Sequence, residues 1–126
     1  MAADKKNILA IDDDPMVLKV LMTFLIPSYE LHFSKSAQEA LDLMEKVLPD
    51  LILLDINMPG ISGFDFLHTI KGMPKFMDIP VIIVSGHCET EFVIYAERCG
   101  ASSVVAKPIN KEKLFREIDK VLIDKD

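Results

Sequence analysis

The stretch Ile8-Leu9-Ala10-Ile11-Asp12-Asp13-Asp14-Pro15 decides the fold, because it joins a short apolar run to three carboxylates and a helix start. Short apolar runs between helical patterns are typical of buried parallel strands. Asp14 can cap the helix that follows, and Pro15 suits the first turn of that helix. The stretch therefore predicts a strand over about 6–12 and a helix that ends near Leu25.

Three further apolar runs also stop at a chemically active residue: 51–54 before Asp55, 81–84 before Ser85, and 103–106 before Lys107. In an open parallel sheet, the carboxyl ends of the strands meet at one edge and form the ligand site. We therefore expect carboxylates, a hydroxyl and an amine to converge on one patch. Several acids at one edge repel one another, so a purely structural sheet gains nothing from them. The pattern indicates a site for a divalent cation and a phosphoryl group.

The remaining elements alternate regularly along the chain. Strands are predicted over 29–34, 50–54, 80–84 and 102–106, and helices over 37–47, 64–71, 89–98 and 111–123. Ser36 and Glu39 match a capping box, Gly100 ends the fourth helix, and Asn110 opens the fifth. The loop over 55–63 is rich in turn residues. Right-handed crossovers then give a doubly wound α/β sheet, for which we adopt the flavodoxin-like (βα)5 order 2-1-3-4-5.

Composition narrows the class of protein. A chain of 126 residues, half of them apolar, predicts a single domain over 1–126. A net charge of −6 disfavours direct nucleic-acid binding, and no apolar run approaches the roughly 20 residues of a membrane span. Asp12 interrupts the first apolar stretch too early for a signal peptide. Cys88 and Cys99 match no zinc pattern, and free thiols fit a reducing cytoplasm, so we expect a cytoplasmic protein without membrane insertion.

The three acids Asp12, Asp13 and Asp55 fall at neighbouring strand ends in this strand order. Without a cation they would repel and raise one another's pKa. Magnesium takes oxygen ligands, keeps several waters and is typically held by one or two carboxylates plus a phosphate. A shallow acidic edge therefore favours Mg²⁺ as the cofactor.

Asp55 follows four apolar residues, and a carboxylate there can act as a nucleophile that forms an aspartyl phosphate. Phosphoryl transfer needs in-line geometry and neutralised charge, which Lys107 can supply as a point charge. Ser85 can donate its hydroxyl to a phosphoryl oxygen. Taken singly, this serine suits a turn and this lysine a solvated loop, but together they indicate a site. A cis bond between Lys107 and Pro108 would turn the lysine toward Asp55.

These residues resemble the receiver domain of two-component response regulators, of the single-domain, chemotaxis-regulator-like type. The similarity covers about 6–122, and its motifs are Ile-Asp-Asp-Asp-Pro (11–15), Asp-Ile-Asn-Met-Pro-Gly-Ile-Ser-Gly (55–63), Val-Ser-Gly (84–86), Gly-Ala (100–101) and Lys-Pro (107–108). The resemblance implies a signalling module rather than an enzyme, one that catalyses only its own phosphorylation and dephosphorylation. Its phosphoryl donor would be a phosphohistidine on a histidine kinase or a histidine phosphotransfer protein.

The resemblance also implies a role for each site residue. Asp55 would be the phosphoacceptor, and Asp13 and Asp55 would ligate Mg²⁺ directly, together with the backbone carbonyl of Asn57. Asp12 would act on the ion through water. Ser85 would be the switch hydroxyl, and Lys107 would pair with the phosphate.

We expect three positions to tune this chemistry, and two of them depart from the family pattern. Val104 stands where many receivers have an inward-swinging aromatic residue, and Gly86 stands where many have alanine. Glycine is more permissive for the backbone and leaves more room beside the phosphoryl group. In receivers the position of His87 often lies near the path of the attacking water, so the resemblance implies that His87 tunes self-dephosphorylation, although an exposed loop histidine is the simpler reading.

Two helices carry more apolar residues than one buried face requires. The fourth has four in a row at 92–95, and the first has a stripe of about 240°. Such patches often mark interfaces, here with an unidentified downstream protein, an output domain or a second copy in a homodimer.

Other functions remain as alternatives. The chain could be a receiver-fold scaffold, or a domain excised from a larger response regulator or hybrid kinase. A phosphatase that forms an aspartyl phosphate usually has a second acid where this chain has Asn57. A flavodoxin-like cofactor binder needs a phosphate loop after the first strand, where the acids at 12–14 would repel a phosphate.

Overall fold

One parallel sheet organises the chain in the computed structural model, which describes residues 5–58 and 60–125. Its strands are β1 (Asn7–Ile11), β2 (Glu30–Ser34), β3 (Leu51–Asp55), β4 (Val81–Ser85) and β5 (Ser103–Ala106). They lie in the order β2-β1-β3-β4-β5, and every neighbouring pair is parallel. The flavodoxin-like prediction is confirmed. Pro59 and the ends of the predicted domain, 1–4 and 126, lie outside the described residues.

The helices that follow each of the five strands cover both faces of the sheet. They are α1 (Pro15–Leu25), α2 (Ala37–Lys46), α3 (Gly63–Lys71), α4 (Thr90–Arg98) and α5 (Lys111–Lys125). Successive strand side chains point to opposite faces, so Ile52 and Leu54 join the core under α2, α3 and α4. Leu51 and Leu53 join the second core under α1 and α5. Because β3 is buried on both faces, its sequence is a continuous apolar run rather than an alternating one.

Several element ends differ by one or two residues from the prediction, and two of these differences affect the site. Asp55 and Ser85 do not follow β3 and β4 but are their last residues. Asp55 pairs in register with Val84, and Ser85 pairs with Ala106. The sheet ladder therefore fixes the backbone of both residues.

The helix caps mostly follow the predicted chemistry. Asp14 accepts a hydrogen bond from the backbone N–H of Met16, as expected for the cap of α1. The capping box at α2 forms only in part, because the Ser36 hydroxyl accepts from the N–H of Glu39, whereas the Glu39 carboxylate accepts from the N–H of Lys35. The N–H of Ser36 donates instead to the hydroxyl oxygen of Ser34. Within the described part of the chain, no helix has the length and apolar content needed to cross a bilayer.

Candidate metal and phosphoryl site

Three carboxylates meet at the carboxyl edge of the sheet. Asp12 follows β1 and is only 2% exposed, and Asp55 at the end of β3 is 5% exposed. Asp13 is exposed to solvent beside them. One carboxylate oxygen from each residue can be chosen so that the three lie within 4.8 Å of one another. The strand order explains the convergence, since β1 and β3 are neighbours.

Lys107 brings a positive charge to the two buried acids. Its ammonium Nζ lies 3.3 Å from Oδ2 of Asp12 and 3.4 Å from Oδ1 of Asp55. Its backbone N–H donates to the carbonyl of Ser85 at 2.8 Å, which ties the end of β5 to the end of β4. The peptide bond between Lys107 and Pro108 is cis. The expected approach of the lysine to Asp55 is observed.

The electrostatics of the pocket leave it short of positive charge. Burial raises the pKa of Asp12, the charge of Asp55 raises it further, and the opposing hydrogen bonds from the Asp14 N–H and Lys107 do not offset the rise. Burial alone would lower the pKa of Lys107, but the two carboxylates raise it above its ordinary value. The Lys107 ammonium therefore contacts two of the three acids. A donor set made only of carboxylate oxygens fits a hard divalent cation such as Mg²⁺.

Ser85 and Asn57 complete the rim of the pocket. Ser85 is 2% exposed, and its hydroxyl oxygen accepts the backbone N–H of His87 at 2.9 Å. The backbone N–H of Asn57 donates to Oδ1 of Asp55 at 3.2 Å. That oxygen therefore receives both the Asn57 N–H and the Lys107 ammonium. These contacts fix the orientation of the Asp55 carboxylate.

The three predicted tuning positions lie at different depths. Gly86 is exposed, and a β-carbon there would meet nothing within 4 Å. The His87 side chain is 64% exposed, with Nδ1 3.7 Å from a carboxylate oxygen of Glu89. Val104 is half-buried and packs against the core on the α4 side of the sheet. A β-carbon at Gly86 would therefore lie in open space, and the tuning roles of the three positions remain predictions.

Two features of the site region were not predicted from the sequence. Ser34 is 1% exposed, and its carbonyl accepts the Asp12 N–H at 3.0 Å, so the end of β2 holds the backbone of Asp12. Phe64 of α3 packs against Phe92 and Tyr95 of α4, with ring centroids 5.8 and 5.0 Å away. The strand order would have placed Ser34 beside the site. No sequence motif marks the aromatic cluster, because its rings come from two helices.

Residues 8–119 match the family described as the response regulator receiver domain. The chain belongs to this family. Among curated relatives, regulatory protein AtoC of Escherichia coli K12 is 32% identical over 117 residues, which are 92% of this chain and 25% of that protein. Two-component response regulator ARR10 of Arabidopsis thaliana is 36% identical over 111 residues, which are 86% of this chain and 20% of that protein. The chain thus spans a quarter or less of the length of these two relatives.

Solved structures agree with the family assignment. A putative response regulator from Chloroflexus aurantiacus J-10-fl superimposes with a TM-score of 0.90 at 26% identity, covering 95% of this chain and 99% of that chain. The chemotaxis response regulator CheY4 of Vibrio cholerae gives 0.86 at 25% identity, with 93% and 98% covered. The receiver resemblance and the fold are confirmed. Receiver domains are phosphoacceptor switches that bind Mg²⁺ at an acidic pocket and work with histidine kinases or phosphotransfer proteins and with output domains.

Proposed function

We propose that this chain accepts a phosphoryl group from a phosphohistidine donor onto Asp55, in a Mg²⁺-dependent reaction that switches a protein-interaction surface. One observation carries the proposal. Asp12, Asp13 and Asp55 converge within 4.8 Å, and the Lys107 ammonium lies 3.4 Å from Asp55. This constellation offers a nucleophile, a cation site and a counter-charge at one edge. The donor is a histidine kinase or a histidine phosphotransfer protein.

Asp55 is the nucleophile in this proposal. A carboxylate oxygen attacks phosphorus, the bond from phosphorus to the donor nitrogen breaks, and an aspartyl phosphate forms. The reaction needs little covalent help beyond positioning and neutralised charge. Lys107 pairs with one phosphoryl oxygen, and the Ser85 hydroxyl donates to another. Attack by water on phosphorus breaks the bond from phosphorus to the Asp55 oxygen and releases inorganic phosphate and the free carboxylate, and His87 and Gly86 border the route by which water arrives.

The metal ligands are assigned within the same proposal. Asp13 and Asp55 would hold Mg²⁺ directly with the backbone carbonyl of Asn57, and Asp12 would act through water. The exposure of Asp13 supports this assignment, because a hydrated ion can reach that carboxylate from solvent. When bound, the ion supplies positive charge that offsets the negative charge of the transferring phosphoryl group.

The proposed output surface consists of α4, β5 and α5. Ser85 and Lys107 each begin a loop that leads into it, so new bonds from these residues to a phosphoryl group would favour one loop arrangement. Ile94 and Tyr95 on α4 are 45% and 55% exposed, which offers apolar area to a partner. Val104 lacks a ring that can swing inward, so the shift should be smaller than in receivers with tyrosine at this position.

The partner on this surface is an unidentified downstream protein, an output domain or a second copy of the chain. The relatives described above extend far beyond the matched region, so an output domain on the same polypeptide is one candidate. Within 1–126 we propose a single receiver domain. Its catalysis is limited to its own phosphorylation and dephosphorylation.

Phosphoryl transfer is tested by incubating the chain with a small phosphodonor and Mg²⁺ and measuring intact mass. We expect the parent to gain one phosphoryl group and Asp55→Asn to gain none. Asp14→Asn is a matched control, because asparagine still caps α1 and Asp14 is not among the proposed ligands. Equal incorporation by Asp55→Asn and the parent would overturn the assignment of the phosphoacceptor.

The output surface is tested by recording backbone amide shifts with and without a stable phosphoryl mimic. We expect changes to extend from the pocket into residues 89–105. Changes that remain around Asp55 would exclude α4 and β5 as the output surface and would favour the exposed face of α1.

A further inference from the structure

Gly63 lies at the point where the start of α3 touches the backbone of the phosphoacceptor segment. It is buried, and its N–H donates to the carbonyl of Ile56 at 3.0 Å, which closes the loop between β3 and α3. A β-carbon at position 63 would lie 2.6 Å from the carbonyl oxygen of Asp55 and 2.6 Å from Cα of Ile56. Both contacts are with backbone atoms, so a side-chain rotation cannot relieve them.

Neither neighbour of such a β-carbon can move freely. The start of α3 is held by the core, because Phe66, Leu67 and Ile70 are each at most 1% exposed. On the other side, β3 pairs with β1 and β4 as far as Leu54 and Asp55. The segment that leaves β3, from Asp55 to Asn57, is therefore the part that would have to move.

The segment from Asp55 to Asn57 carries two of the groups assigned to the site. The N–H of Asn57 orients Oδ1 of Asp55, and the carbonyl of Asn57 is a proposed metal ligand. Ordinary contact begins near 3.4 Å, so relieving a 2.6 Å contact requires a movement of about 0.8 Å. Misplacing reacting groups by about 1 Å can cost on the order of 100-fold in rate.

We propose that Gly63 is a positioning residue for the phosphoacceptor site. The absence of a side chain lets α3 begin directly against β3, and this contact sets where the Asp55 carboxylate and the Asn57 carbonyl lie. The assignment rests on the proposed function. It adds a requirement that lies outside the acidic pocket itself.

The test compares two glycines at opposite ends of the same helix. Gly63→Ala introduces the backbone contacts, whereas Gly72→Ala is the matched control, because a β-carbon there would meet its nearest atom at an ordinary 3.5 Å. Three quantities are measured in each variant: Mn²⁺ affinity by electron paramagnetic resonance, phosphorylation rate with a small phosphodonor and Mg²⁺, and backbone amide shifts.

We expect Gly63→Ala to bind Mn²⁺ several-fold more weakly and to be phosphorylated roughly 10- to 100-fold more slowly. Its amide shifts should be largest at 55–58 and extend to residues 12 and 13. Gly72→Ala should match the parent in metal affinity and rate. Parent-like metal affinity and rate in Gly63→Ala would overturn the proposal.

A second variant separates the backbone contacts from the side-chain contact. Cδ1 of Ile56 would lie 2.8 Å from the added β-carbon, and Ile56→Ala removes only this contact. Gly63→Ala/Ile56→Ala should therefore remain impaired relative to Ile56→Ala alone. Equal metal affinity and rate in these two chains would overturn the proposal. The pair also carries the test if Gly63→Ala alone is too unstable to measure.

The experiment distinguishes this inference from the proposed function. A parent chain that accepts no phosphoryl group while Gly63→Ala still weakens Mn²⁺ binding would overturn the phosphoryl chemistry and retain the positioning role. If the parent is phosphorylated and Gly63→Ala matches it in metal affinity and rate, the phosphoryl chemistry would be retained and the positioning role would be overturned. A parent that binds no Mn²⁺ would overturn both.

Discussion

The acids at the two edges of the sheet differ in their burial and in their partners. At the amino edge, the Asp50 carboxylate accepts the N–H of Asn7 at 2.8 Å, and the N–H of Asp50 donates to the Asn7 carbonyl at 2.8 Å. The Asn7 side chain in turn contacts His32 at 3.1 Å. At the carboxyl edge, Asp12 and Asp55 are more deeply buried and share one ammonium. At the amino edge the Asp50 carboxylate accepts a local hydrogen bond, whereas at the carboxyl edge two buried acids gather around one ammonium.

This difference separates stability from function. Hydrogen bonds to charged groups stabilise a fold when both partners are satisfied, which describes the contact of Asp50 with Asn7. A buried charge destabilises it, and the raised pKa of Asp12, caused first by burial and further by the charge of Asp55, is a sign of that cost. The proposed function gives a reason for acids at the carboxyl edge, because the same acids could hold a cation. Acids at the two edges should therefore respond oppositely to the same substitution.

The largest effect is expected from removing the exposed acid of the carboxyl edge. Asp13→Ala takes away a proposed direct carboxylate ligand, so Mg²⁺ or Mn²⁺ affinity should fall by at least about tenfold, since even outer-shell changes cost that much. Titration of parent and variant with Mn²⁺ measures the change. Asp50→Ala, at the other edge, should leave the affinity unaltered. Unchanged affinity in Asp13→Ala would contradict the proposed metal site.

The sequence predicts the residues at the carboxyl edge of the sheet better than it predicts the loop paths and helix contacts around the site. The positions of Asp12, Asp55, Ser85 and Lys107 at the carboxyl edge were predicted, because each ends or directly follows a strand and parallel strands align their carboxyl ends. Local apolar periodicity identified the strands, whereas their order was adopted as the commonest solution for five βα units.

Other features depend on loop paths and helix packing, which periodicity does not encode. The steric requirement at Gly63 arises where α3 approaches β3, and the Ser36 N–H found a different acceptor because Ser34 lies beside it. The packing of Phe64 on Tyr95 needs the relative placement of two helices. Strand ends at Asp55 and Ser85 differ by one residue from the pattern, because the ladder continues past the apolar run.

Replacing an aspartate by asparagine is expected to change Tm moderately, with opposite signs at the two edges. Asp12→Asn should raise Tm by a few degrees, at about 4 °C per kcal/mol for a domain of this size, because a neutral group is favoured in that buried position. Asp50→Asn should lower Tm, because a charge-assisted hydrogen bond becomes a neutral one at a cost of roughly 1 kcal/mol. Thermal unfolding at neutral pH without divalent cations measures both.

Addition of Mg²⁺ sharpens this comparison. Bound metal stabilises the folded chain by mass action, so the parent should gain Tm with Mg²⁺. Asp50→Asn should gain as much as the parent, whereas Asp12→Asn should gain less. Two variants that shift Tm in the same direction without metal would contradict the contrast between the edges.

The smallest effect is expected at high pH and at the amino end of the sheet, from Tyr29, which directly precedes β2. Its hydroxyl donates to Asp119 at 3.4 Å, and burial, reinforced by the negative charge of Asp119, raises its pKa above the ordinary 10.0. A pKa that is higher in the folded state gives stability that is fully present below pH 10 and is lost as pH rises through the folded-state value. Parent Tm should therefore fall more steeply above pH 10 than Tm of Tyr29→Phe. Asp119→Asn should show an intermediate slope, since burial of the phenol remains, and parallel curves for all three chains would show that Tyr29 does not contribute to the pH dependence.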